Sequence, residues 1–379
     1  MNFDLTEDQS LVQASVAEMA QAEIAPLAAR ADLEHQIPRE VLTQLSGMEL
    51  WGGPFDPQWG GAGLDYLSYL LVVEELSRAC ASTGVLIAAH CSLACSPLAT
   101  FGTDTQKAKF LTPMTTGEKI GCFLLTESGA GSDVAALATK FVDQGDHFEL
   151  TGSKQFITNG GYLGYGIVFA TSDPSLGDKG ISAFVLDLAS DGVSLLKNED
   201  KLGIRGSYTS AFALDQVKIP KDQLLGGLGQ GFKIAMETLN GGRISIAAQA
   251  LGIAQASLDL AVAYSNERVQ FGRTIGRFGA IQDKLADMSS QLEAARLLTY
   301  KAGWLKDQGK LTPKDSATAK LMASKAATFC ADQCLQIHGG FGYIVDSGVE
   351  RLFRDARITE IYEGTSEIQK IVIAKALSQ

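Results

Sequence analysis

The sequence predicts an α+β, mostly α-helical fold in three parts: a helical N-terminal domain, a central antiparallel β domain and a C-terminal bundle of long helices. Three observations carry this. Apolar residues recur at three- and four-residue intervals at both ends of the chain. Short apolar runs set off by Gly, Asn and Asp occupy the middle. From Phe232 to Leu377 the only proline is Pro313. These changes of texture divide the chain into residues 1–119, 120–228 and 229–379.

In the first part, residues 7–28 and 66–81 read as helices, the second with Tyr66, Leu70, Val73, Leu76 and Cys80 on one face. Residues 52–63, with Pro54, Pro57 and several glycines, read as a loop. In the middle part, strands are expected at 122–126, 147–151, 155–158, 167–170, 181–186 and 211–219. The turns between them include Gly145-Asp146, Asn159-Gly160-Gly161 and Asp178-Lys179-Gly180. In the third part, Ile281, Leu285, Met288, Leu292, Ala295, Ala302 and Leu305 share one helical face.

At 379 residues, 46% hydrophobic and 20% charged, the chain has an ordinary globular composition. Its 43 acidic against 32 basic residues oppose nucleic acid or an anionic membrane as principal partner. The six cysteines (Cys80, Cys91, Cys95, Cys122, Cys330, Cys334) sit in apolar or helical surroundings and read as reduced, buried thiols. No metal site is expected, because neither close cysteine pair has further ligands at a recognised spacing. Asp4, Glu7 and Asp8 precede any basic residue, unlike a targeting signal, and no apolar run is read as membrane-spanning. A cytoplasmic protein is expected.

Neither a Gly-x-Gly-x-x-Gly fingerprint after a strand, nor a Walker-type loop, nor a Gly-x-Ser-x-Gly elbow occurs. Any dinucleotide must be held outside a Rossmann unit. Four other segments stand out. Thr126-Glu127-Ser128-Gly129-Ala130-Gly131-Ser132-Asp133 offers accessible backbone amides and hydroxyls, or simply a polar turn. Gly152-Ser153-Lys154-Gln155-Phe156-Ile157-Thr158 puts Phe156 and Thr158 on one strand face, where they could meet a flat ring or merely precede a turn. Gln336-Ile337-His338-Gly339-Gly340 ends a helix, with His338 read as structural. Tyr362-Glu363-Gly364-Thr365-Ser366-Glu367 breaks and restarts a helix, with Thr365 or Ser366 as cap and Glu363 either aimed into a cavity or on the surface.

Together these segments resemble the acyl-CoA dehydrogenase family, nearest its short-chain, butyryl-CoA branch. Trp59-Gly60-Gly61-Ala62-Gly63-Leu64-Asp65-Tyr66, Asp200-Lys201-Leu202-Gly203-Ile204-Arg205-Gly206-Ser207 and Asp355-Ala356-Arg357-Ile358-Thr359-Glu360 extend the likeness along essentially the whole chain. The resemblance implies that the C-terminal bundle has four helices, that FAD is the cofactor and that Glu363 is the base of an α,β-dehydrogenation of an acyl-CoA thioester. It implies that Phe123, Leu125, Thr126, Ser132, Phe156, Ile157 and Thr158 line the flavin, and that Thr365, Ser366 and Glu367 touch it again. Arg268, Phe271, Gln282, Gln336, Ile337, Gly339 and Gly340 would complete the adenine half across subunits of a homotetramer. Ser132, Asn240, Arg243 and Gly364 would meet the substrate, Arg243 as polar anchor for the CoA.

The resemblance further implies an electron-transferring flavoprotein as electron acceptor, with an oxygen-using oxidase on the same fold as the rival. Phe156 stands where the family usually has Trp, Ser128 where Pro is frequent, and Leu124 where a small residue is common. The segment His90-Cys91-Ser92-Leu93-Ala94-Cys95, near the expected acyl pocket, is less familiar for the family and leaves a straight short chain and a branched or alicyclic acyl group both open.

Overall fold

The computed structural model describes residues 4–378, so the outermost limits of the expected parts, residues 1–3 and 379, lie outside it. Helices come first: α1 (Glu7–Met19), α2 (Ala28–Glu34), α3 (Arg39–Gly47), α4 (Tyr66–Ala79), α5 (Ala81–Ala89), α6 (Ser96–Phe101), α7 (Asp104–Gln106) and α8 (Thr112–Thr115). Thr6 caps α1 with a full capping box, its side chain accepting from the Gln9 amide while the Gln9 side chain reaches back. The expected helix over 7–28 carries π-helical turns at Ala20–Ile24, and a second π-helical stretch, His90–Cys95, joins α5 to α6. Insertions of this kind re-aim side chains and gather at functional sites.

The sheet holds β1 (Cys122–Leu124), β2 (Lys140–Asp143), β3 (His147–Thr158), β4 (Tyr165–Thr171), β5 (Ile181–Asp187), β6 (Val193–Asn198), β7 (Thr209–Pro220) and β8 (Leu224–Leu225). Its order is β6-β7-β3-β2-β4-β5-β8, with β1 beside β4. Two features correct the expectation from sequence. The sheet is mixed, because β1 pairs with β4 in parallel, as β2 does through Lys140 and Thr171. Runs 147–151 and 155–158 form one strand, kept continuous across Gly152 by pairing with β7. Strands β2, β6 and β8 carried no usable pattern; in β6 every residue after Val193 is exposed.

The chain then returns to helix, with a short hairpin of β9 (Val269–Gln270) and β10 (Arg273–Thr274) between the first and second of the helices that follow. The C-terminal helices are α9 (Gly231–Glu267), α10 (Gly279–Asp307), α11 (Pro313–His338), α12 (Val349–Ile358) and α13 (Ser366–Leu377). Met288, Leu292, Ala295 and Ala302 of α10 are buried, as their spacing predicts. Helix α9 is the axis of the molecule, packing on α4, α10 and α11. A Cβ at Gly252 would stand 2.3 Å from the Glu74 carbonyl oxygen, so α9 and α4 cross at backbone distance there.

Residues 81–101 and 231–267 are, by length and composition, long and apolar enough to cross a membrane, against the expectation from sequence. Their most apolar windows are 78% and 67% buried within the fold, as core helices require. All six cysteines are free and buried. His338 is buried too: its ring stacks on Tyr264 at 4.2 Å and its Nδ1 lies 2.8 Å from the Cys334 carbonyl oxygen.

Side chains stitch sheet to helices. Asn159, left-handed at the end of β3, donates through Nδ2 to the carbonyls of Leu86 (3.0 Å) and Gly121 (3.2 Å). The Ile204 amide donates to the buried Asp355 carboxylate at 2.5 Å, tying the loop after β6 to α12.

Candidate active site

Between α12 and α13 the chain makes a tight turn in which Glu363 (φ 55°) and Gly364 (φ 87°) are both left-handed. A non-glycine residue holds that conformation only where its surroundings impose it. Here they do. Thr365 caps α13, accepting from the Ile368 amide at 3.4 Å. Gln369 Nε2 donates to the carbonyls of Gly364 (2.7 Å) and Glu363 (3.2 Å), and Lys320 Nζ of α11 donates to the Gly364 carbonyl at 2.8 Å. The Tyr362 hydroxyl donates to Gln249 Oε1 on α9.

The turn aims the Glu363 side chain inward. Glu363 is half-buried overall, but its Oε2 is shut off from solvent and has no hydrogen-bond partner. A buried acceptor left unsatisfied costs about 1–3 kcal/mol, so its presence needs an explanation. Burial raises the carboxyl to about 7, and the charges of Lys320 and Arg243 keep it from rising further. A Cβ at Gly242 would lie 2.7 Å from Oε2 and 2.9 Å from Leu93 Cδ2, so glycine clears room for the carboxylate beside an apolar wall. Leu93 is presented by the π-helical stretch. Arg243 is 7% exposed; its Nη1 donates to Asn240 Oδ1 at 2.8 Å while Nε stays buried and unpartnered. Asn240, Arg243, Glu363 and Gly364 therefore gather around one point.

A second group lies on β1 and β3. The Gln155 amide donates to the Thr126 carbonyl at 2.9 Å, joining the segment after β1 to β3. Beneath it Lys154 and Glu127 form a buried ion pair at 2.6 Å, and Lys154 also donates to the Leu125 carbonyl at 3.1 Å. Glu127 accepts from the amides of Ala138 (2.7 Å) and Thr139 (3.1 Å). Burial lowers Lys154 to about 8; burial pushes Glu127 up, but Lys154 and these amides hold it below the ordinary value.

Above this base a bulge lets β3 gain one residue on β7 between Lys154 and Ile157, and Phe156 takes φ 59°. Phe156 is 56% exposed, Ile157 is buried and Thr158 half-buried, so Phe156 and Thr158 share the open face. The hydroxyls of Thr126, Ser132 and Thr158 make no hydrogen bond among the described residues. Phe123 is half-buried against Phe169, Leu125 is buried, and Leu124 fills the space over Gly166.

The third group surrounds a cavity of about 420 Å³ lined by Arg268, Ile337, Gly339, Gly340 and Phe341. Gln336 and Gln282 are exposed, the latter donating to the Gly276 carbonyl, and Phe271 is 94% exposed at the tip of the β9–β10 hairpin. These three are not among the residues lining that cavity. Thr365 and Ser366 are half-buried and Glu367 is exposed beside the Glu363 turn. Sequence reasoning missed Lys320 and Gln369, neither of which carries a local signal, whereas Leu93 falls in the 90–95 segment expected near the acyl pocket.

Three family descriptions match in order: the acyl-CoA dehydrogenase N-terminal domain over residues 6–118, the middle domain over 122–217 and the C-terminal domain over 229–378. The chain is 48% identical to the short-chain specific mitochondrial acyl-CoA dehydrogenase of Homo sapiens over 98% of its own length and 90% of that protein's. It superposes on butyryl-CoA dehydrogenase from Megasphaera elsdenii with a TM-score of 0.98 at 44% identity, covering 100% of both chains. It also superposes, with a TM-score of 0.98 at 46% identity, on a chain solved in work on the electron transferring flavoprotein of Acidaminococcus fermentans, covering 100% of this chain and 99% of that one. Three domains matched in order, with a fold and sequence shared end to end, lead to one conclusion: the chain belongs to the acyl-CoA dehydrogenase family.

Proposed function

We propose that the chain is an FAD-dependent short-chain acyl-CoA dehydrogenase that converts a CoA thioester to its 2-enoyl-CoA, with Glu363 taking the α proton. The observation that carries this reading is the solvent-shielded, unpartnered Glu363 Oε2 on a carboxyl raised to about 7. A general base works best with a pKa near the working pH, and an acceptor without a protein partner is free for a substrate proton. The Glu363 amide makes no hydrogen bond among the described residues, which suits it to receive the thioester oxygen. A preorganised donor of this kind contributes roughly 3–4 kcal/mol to transition-state stabilisation. Asn240 and Arg243 support anchoring of the CoA part, and Leu93 supports an apolar acyl pocket.

The exposed Phe156 ring and the free hydroxyls of Thr126, Ser132 and Thr158 fit a flavin, offering an apolar face and donors for its edge. FAD bound there supplies hydride acceptance, which no side chain can provide. The chain's own work is to orient the thioester, exclude water and hold the proton. One proton and one hydride leave adjacent carbons, the C–C double bond forms, and Glu363 ends protonated. Arg268, Gly339 and Gly340 border a cavity suited to the adenine half, completed by a second copy in a homotetramer. The likeness to the Megasphaera and Acidaminococcus proteins supports a short acyl group and an electron-transferring flavoprotein as acceptor. We place the protein in the cytoplasm.

Glu363→Gln tests the assignment. Bound FAD and CoA affinity are expected to persist while turnover falls by about a hundredfold to ten-thousandfold, the usual worth of a general base. Near-normal turnover in that variant would overturn the reading. A panel of straight, branched and alicyclic acyl-CoA thioesters, followed by bleaching of the visible flavin absorption, identifies the acyl group.

A further inference from the structure

Lys320 is the most deeply buried ammonium near the site, 0% exposed in the middle of α11. A buried lysine is costly unless paired. No carboxylate forms an ion pair with it among the described residues; its one hydrogen bond, at 2.8 Å, goes to the Gly364 carbonyl, the residue after Glu363. Gln369, also 0% exposed, takes the same carbonyl and that of Glu363. Both carbonyls of the left-handed pair are thus turned inward onto buried donors. With both carbonyls so held, the Glu363 amide has no partner among the described residues and its side chain is aimed inward.

Charge accompanies the geometry. The ionisable groups that act on the Glu363 carboxyl are Arg243 from α9, Lys320 from α11 and the adjacent Tyr362, while Glu360 and Glu367 of the same segment act on Lys320. From the π-helical stretch, the uncharged Leu93 stands beside the same glycine as the carboxylate. Of the two cations, Arg243 is bonded to Asn240, whereas Lys320 is fixed to the turn itself.

We propose that Lys320 is a positioning residue for the Glu363 base: its bond to the Gly364 carbonyl holds the turn, and its buried charge sets the pH at which Glu363 becomes able to take a proton. This rests on Glu363 being the base. The sign follows from electrostatics. Removing a neighbouring cation disfavours the carboxylate, so Glu363 holds its proton to higher pH and the acid limb of the kcat profile moves alkaline.

The test uses the FAD-loaded enzyme and three variants. Lys320→Met removes bond and charge, Lys320→Gln keeps a donor without charge, and Lys320→Arg keeps the charge. The acid limb of kcat is expected to move up by about one pH unit in the Met and Gln variants, the low end for a neighbouring opposite charge. It returns toward wild type in the Arg variant, with KM for the acyl-CoA changed less than the limb position implies. The Glu363 protonation band, isolated as the infrared difference between each protein and its Glu363→Gln counterpart, is expected to shift by the same amount without turnover. If Lys320→Met does not accumulate as folded flavoprotein, the Gln and Arg pair decides. An unmoved limb and an unmoved infrared titration in Lys320→Gln overturn the proposal while leaving Glu363 as base. Turnover surviving Glu363→Gln overturns the base assignment instead.

Discussion

Gly242 shows how little space the Glu363 carboxylate has beside α9. An alanine methyl there would meet Glu363 Oε2 at 2.7 Å and Leu93 at 2.9 Å, on a helix packed too tightly to step aside. Displacing a catalytic group by about 1 Å can cost a hundredfold in rate. Gly242→Ala is therefore expected to lose about that much kcat while keeping its flavin, checked by steady-state kinetics beside the visible spectrum. Unchanged turnover would mean the carboxylate works from another position. The sequence marked Glu363 through its Tyr-Glu-Gly-Thr context but gave no hint of Lys320. A lysine in a long helix reads as surface, and its partner Gly364 is 44 residues away. Burial by a distant segment leaves no trace in local spacing.

At the scale of elements, the loop after β6 meets α12 through Asp355. Burial raises this carboxyl to about 6, with the Ile204 amide working in the opposite direction. A folded pKa above the unfolded one means the group's stabilising contribution is complete below about pH 4 and is lost as pH rises through about 6. Asp355→Asn, which keeps an acceptor for Ile204 without titrating, removes that dependence. The variant is expected to gain on wild type between pH 4 and 7, by up to about 3 kcal/mol, measurable by denaturant unfolding at each pH. A constant difference across that range would show that Asp355 does not titrate there. Legibility at this scale depended on exposure pattern. Strands such as β4 and β5, buried nearly throughout, announced themselves as apolar runs. Strand β6 did not, being an exposed edge held by β7, and the parallel pairing of β1 with β4 is a choice of topology that no run of residues encodes.

For the molecule as a whole, the helix–sheet–helix order was legible because each part has its own periodicity. The proposed adenine end of the cofactor site rests on resemblance, since Phe271 and Gln282 stand in solvent in the single chain. Arg268, with its guanidinium 5.5 Å from the Phe341 ring, borders the cavity proposed for that end. Arg268→Ala is expected to weaken flavin retention on dilution while leaving the acid limb set by Glu363 in place, read by gel filtration at falling concentration with absorbance at 280 and about 450 nm. Full flavin content at every concentration would separate Arg268 from the cofactor. The ion pair of Glu127 with Lys154 has a consequence of another kind. Both ends are satisfied by the polypeptide alone, so the floor of the proposed flavin site does not depend on its guest. A stripped protein should keep that receptacle and accept synthetic isoalloxazines of altered potential, which makes the electron affinity of the holoenzyme adjustable from outside the gene.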